Sequence, residues 1–115
     1  YGSGFVLPLH CIIEIWVAYT KAFLGHILVL YILSLKLGLV RGDLEKKELS
    51  KKLIDLKELP KLVEQTLLTD NKIQNISNTF NEAKGSMFLG RGFSYPIALE
   101  GALKLKELSY VHAEG

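Results

Sequence analysis

A chain of 115 residues with 49% hydrophobic and 23% charged residues has the balance of one soluble globular domain, which excludes a disordered polymer. Its 14 basic and 12 acidic residues leave a net charge of +2 and are mixed along the middle of the chain, so nucleic-acid binding gains no support. The single cysteine, Cys11, excludes an intrachain disulfide and a cysteine-paired zinc site; a reducing, cytoplasmic setting is expected, with no metal and no cofactor.

Residues 1 to about 42 are apolar. Uncharged runs extend from Tyr1 to Ile13 and from Ala22 to Leu35, each short of the roughly 18 to 20 residues that cross a bilayer. Glu14, Lys21 and Lys36 interrupt them, so no membrane span is expected. Tyr1 to Pro8 has neither the basic residues of a signal peptide nor an initiator methionine, and the start reads as a cut. A helix is predicted from Val17 to Leu39, where Phe23, Ile27, Leu30, Leu33, Leu37 and their neighbours cover most of the circumference. A helix apolar on nearly every side is expected to be buried. Gly42 after Arg41 is the predicted stop, a basic last turn followed by a left-handed cap.

Residues 43 to 84 are amphipathic and read as a helical connector. Leu49, Leu53 and Leu56 recur at helical spacing among lysines and glutamates, Pro60 breaks that helix or opens the next, and Leu62, Val63, Leu67 and Leu68 supply a second stripe. Asp70 can cap a third segment carrying Ile73, Ile76 and Phe80.

From residue 85 the style changes. Met87, Phe88 and Leu89 form a short apolar run, Gly90-Arg91-Gly92 a turn, and a helix re-enters near Ser94 to Pro96: the opening of an α/β unit. Backbone N–H groups at such a turn can hold a phosphate, but glycine also serves tight turns for conformational reasons alone. Ser94 reads as a helix cap with Pro96 in the first turn. His112-Ala113-Glu114-Gly115 follows the helix with no visible closing strand, and this end also reads as a cut.

On the helix from about Pro96 to Tyr110, Glu100, Lys104 and Glu107 fall within an arc of roughly 60° at about 100° per residue. Apolar residues cover most of the remainder, Lys106 apart. The stripe is either a solvent-facing ion-pair ladder or the lining of a cleft. In a cleft, desolvation and the neighbouring ammonium push on the Glu107 carboxylate in opposite directions and can tune a proton shuttle. The catalytic alternative requires the three groups to face a shared pocket.

The run from Tyr95 to Glu114, YPIALEGALKLKELSYVHAE, with the preceding FLGRG, resembles the start of the second sugar isomerase (SIS) domain in the glutamine:fructose-6-phosphate aminotransferase family, also called glucosamine-6-phosphate synthases. Glu14-Ile15, Val17-Ala18 and Thr20-Lys21-Ala22-Phe23 resemble a run in that family's first isomerase domain. The resemblance implies an α/β class of SIS type, Rossmann-like, a parallel sheet flanked by helices, with this segment itself mostly helical. Residues 1–42 would end the first SIS domain, 43–84 connect, and 85–115 start the second. It implies an aminotransferase acting on fructose 6-phosphate and glutamine to give glucosamine 6-phosphate, in amino sugar biosynthesis, as a homodimer.

By the same resemblance, Glu107 matches the carboxylate that moves a proton between C1 and C2, and Lys104 the lysine beside the sugar hydroxyls. Glu100 matches the acid orienting a ring-opening histidine, which reaches across from a partner subunit and is not His112. Val17, Ala18, Tyr19 and Thr20 match the substrate-binding stretch. The Schiff-base lysine, the serine-rich phosphate loop and the glutaminase domain with its cysteine nucleophile have no counterpart in this sequence, so Cys11 is not that nucleophile and the segment alone is expected to be inactive. The phosphate of the family binds in the first domain, which makes the Gly90 to Ser94 turn structural.

The sequence departs from the family at Ile12 and Ile13, which replace a Gly-Pro pair, at Trp16, which replaces a glycine, and at Tyr19, which replaces a serine contacting the sugar. Rings there would crowd a site built for close backbone approach. Two alternatives stand beside the enzyme: a sugar-phosphate-binding SIS module of a regulator, against which the triad argues, and a degraded gene fragment. A small helical interaction protein exposing its first helix is a further one.

Overall fold

A computed structural model describes residues 4, 6–9, 18–80 and 82–115. The described elements are α1 (Thr20–Arg41), α2 (Lys46–Lys57), α3 (Leu59–Leu67), α4 (Asp70–Thr79), β1 (Gly85–Met87), a 3₁₀ turn (Gly92–Ser94), α5 (Tyr95–Ser109) and β2 (His112–Glu114). They divide into two compact units, one holding Thr20–Lys72 and the other Ile73–Gly115.

In the first unit, α1 ends where the sequence predicts. Gly42 takes a φ of 82°, and the Asp43 N–H donates to the Gly38 carbonyl at 2.9 Å, closing the last turn. α1 packs on α2 and α2 on α3, with Leu44 in van der Waals reach of Gly38. Pro60 opens α3 in its first turn, where a missing N–H costs nothing.

The expected burial of α1 is not met by the described residues: only Leu35 is buried, while Leu24, Ile27, Leu30, Leu33 and Leu37 stay exposed. Apolar periodicity states how much surface a helix needs to hide, and is silent on which neighbour hides it. Lys21 and Lys36 shorten the uncharged run without breaking the helix, so α1, at 22 residues, is long and apolar enough to cross a membrane by length and composition.

The second unit is a β-α-β motif preceded by most of α4. Asp70 is the first residue of α4, in whose opening turn the Lys72 N–H donates to the Thr69 carbonyl at 2.9 Å. β1 and β2 pair in parallel, Gly85 opposite His112, Ser86 opposite Ala113 and Met87 opposite Glu114. The strand lies two residues before the predicted apolar run, and the ladder is prolonged by the Phe88 N–H donating to the Glu114 carbonyl at 2.7 Å. β2 corrects the expectation that no strand follows the helix. His-Ala-Glu carries a single small apolar residue, so it leaves almost no hydrophobic signal, yet Ala113 is fully buried.

α5 lies against β2 and hides Ala98 and Ala102, small residues that let the helix approach closely. A cavity of about 630 Å³ on this unit is lined mainly by apolar side chains, among them Ile73, Ile76, Phe80, Met87, Phe88 and Leu105.

Candidate functional site

α5 positions the three ionisable residues. Pro96 occupies its first turn as expected, but the Ser94 hydroxyl makes no capping hydrogen bond. A capping side chain needs extended backbone, whereas Ser94 (φ −83°, ψ −12°) already belongs to the 3₁₀ turn that runs into the helix. At the other end Tyr110 takes the left-handed conformation, φ 58°, and its N–H donates to the Lys106 carbonyl at 3.1 Å.

The predicted triad is assembled. Lys104 Nζ donates to Glu107 Oε2 at 2.8 Å and stands 3.4 Å from Glu100 Oε1, so one ammonium bridges two carboxylates, one on each side of it along the helix. The side chains of Lys104, Glu100 and Glu107 keep 19%, 24% and 31% of their surface, far less than the 74% and 62% of the Arg41–Asp43 pair. The stripe is therefore half-buried, less exposed than that surface pair. None of the three lines the 630 Å³ cavity, to which α5 contributes Leu105 and Ser109 instead, so the shared pocket that the catalytic alternative requires is not formed by that cavity.

The Glu107 carboxylate, hydrogen-bonded to Lys104, raises the ammonium's pKa above the ordinary lysine range; partial desolvation opposes this and Glu100 adds to it. Lys104 is thus a fixed positive charge at neutral pH. Such a group can stabilise developing negative charge on an oxygen and hold a hydroxyl, while the adjacent carboxylate can accept a proton.

Of the predicted substrate-binding stretch, Val17 lies outside the described residues, as do Cys11, Ile12, Ile13 and Trp16. Ala18 is half-buried, Tyr19 is exposed with a φ of 44°, and Thr20 is the first residue of α1. In the glycine turn, Gly92 has a φ of 60° and a Cβ at Gly90 would run into the Ser94 carbonyl, so the local backbone requires both glycines whether or not an anion binds.

One feature near the triad was not anticipated from the residues: the Phe88 ring sits on Gly101. The available signal was the glycine itself, since Gly inside a helix is less favourable than Ala by about 0.5–1 kcal/mol and is kept where backbone must come close.

No protein-family model matches the chain. The chain is similar to the glutamine–fructose-6-phosphate aminotransferase [isomerizing] of Bartonella henselae, 48% identical over 113 residues, which are 98% of this chain and 19% of that protein. It is similar to the proteins of the same name from Bacteroides thetaiotaomicron, 45% identical over 89% of this chain, and Methanosarcina mazei, 46% identical over 89%. Among solved structures, the C-terminal domain of glucosamine-fructose-6-phosphate aminotransferase from Francisella tularensis superimposes with a TM-score of 0.80 at 43% identity, covering 83% of this chain and 27% of that one. The chain therefore spans about a fifth of the relatives it matches, and its α/β fold, mostly helical with a small parallel sheet, is that of a segment of the Francisella domain.

Proposed function

We propose that this chain, a segment of the glutamine–fructose-6-phosphate aminotransferase family, supplies part of the sugar-isomerising site of an enzyme that forms glucosamine 6-phosphate from fructose 6-phosphate and glutamine. In this reading Glu107 moves the proton between C1 and C2 of the sugar. Lys104, charged throughout, holds the sugar hydroxyls and offsets negative charge as it develops on oxygen. Glu100 fixes Lys104 from the other side and orients the ring-opening histidine. The observation that carries the reading is the 2.8 Å Lys104–Glu107 contact, three-quarters shielded, within a sequence match over nearly the whole chain.

Residues 1–42 then close the first SIS domain, 43–84 connect, and 85–115 open the second. Val17, Ala18, Tyr19 and Thr20 line the sugar in the first domain, with Tyr19 narrowing it. α1 is read as an inner helix of that domain and not as a membrane span. The enzyme works in the cytoplasm as a homodimer, with ammonia delivered by a glutaminase domain elsewhere in the protein. The triad weighs against a purely sugar-binding regulator, because a binder has no use for a paired acid and amine held ready for proton transfer.

The test is Glu107→Gln in the full-length enzyme. Isomerisation should fall by about 10²- to 10⁴-fold, the usual share of a general base, while fructose 6-phosphate binding measured by calorimetry is retained. Undiminished turnover would remove the proton-transfer role.

A further inference from the structure

The closest approach beside the triad is between a helix and a ring. Gly101 follows Glu100 on α5, and a Cβ built there would lie 2.8 Å from Cδ1 and 2.9 Å from Cε1 of Phe88. Non-bonded carbons rest about 3.5–4.0 Å apart, so a methyl group at 101 needs a gap wider by roughly 0.7 Å. The backbone on both sides of the contact is held, so relief comes either from the helix or from the Phe88 ring, which borders the 630 Å³ cavity. Phe88 is tied to β2 through its N–H, 2.7 Å from the Glu114 carbonyl, and the helix rests on buried Ala98 and Ala102, which have no flexible side chain to give way. At about 100° per residue, Gly101 falls between that buried face and the arc holding Glu100, Lys104 and Glu107.

We propose that Gly101, with the Phe88 ring seated on it, is the positioning residue that sets the depth at which α5 presents the triad; this rests on the catalytic reading of that triad. A side chain at 101 lifts this flank of the helix away from Phe88. Glu100, Lys104 and Glu107 then move together, so their mutual contacts survive while their distance to the sugar changes. Displacement of about 1 Å in a proton-transfer site costs up to about 100-fold in rate.

The experiment is Gly101→Ala in the full-length enzyme, assayed per folded site. The expected result is a kcat for isomerisation lower by about 10- to 100-fold with KM for fructose 6-phosphate within about twofold, the pattern of an interaction lost only in the transition state. Adding Phe88→Val, which removes the ring atoms that collide, restores most of the rate. A merely structural glycine would lower the amount of folded enzyme and leave kcat per site unchanged. An unchanged kcat in Gly101→Ala, or a double variant that stays slow or unfolded, overturns the proposal. If Glu107→Gln is inactive while Gly101→Ala is normal, only the positioning role fails; if Glu107→Gln is fully active, the catalytic reading fails and this one with it.

Discussion

Lys104 carries one charge between two carboxylates, and the linkage to stability has a definite sign. Its pKa is raised in the folded chain, chiefly by the hydrogen bond to Glu107, so the bridge's contribution is fully present below the lysine pKa of the unfolded chain. It is lost as pH rises through the higher, folded value. The Tm difference between wild type and Lys104→Met should accordingly be constant through neutral pH and shrink in the alkaline range above the ordinary lysine pKa. A difference that grows with alkalinity would contradict the assignment. The triad was legible because helical geometry alone brings positions i, i+4 and i+7 onto one face. The failed Ser94 cap and the Phe88–Gly101 contact were not, since one depends on the dihedral angles before the helix and the other on a residue 13 positions away in sequence.

At the scale of elements, punctuation decided most boundaries. Gly42 with its φ of 82° ends α1, and Gly42→Val should destabilise the chain by about 1–2 kcal/mol, the cost of forcing a side chain into left-handed backbone. Urea unfolding would measure it, and a neutral result would mean that the turn relaxes. The helices of the middle region were legible from leucine spacing and Pro60. The strands were not, because each is three residues long and β2 offers only Ala113 to the interior. Their existence is fixed by pairing with each other across α5, and pairing between distant segments leaves no local pattern to read.

For the molecule as a whole, the family and class followed from the long match around Glu100 to Glu107, whereas the burial expected for α1 did not appear among the described residues. An apolar helix with Leu30, Leu37 and Val40 more than half exposed should bind a hydrophobic dye such as ANS. The isolated 115-residue chain should also give no heat of binding with fructose 6-phosphate, and tight binding by calorimetry would overturn the view that the site needs more protein. The parallel strands have a consequence for how the second unit is held together. For Met87 to face Glu114 in a parallel pair the chain has to travel back along the sheet, and the 15-residue α5 makes that return at about 1.5 Å per residue. The two strands therefore depend on α5 as their crossover, and a break in that helix would cost the unit its sheet as well as the Lys104 bridge.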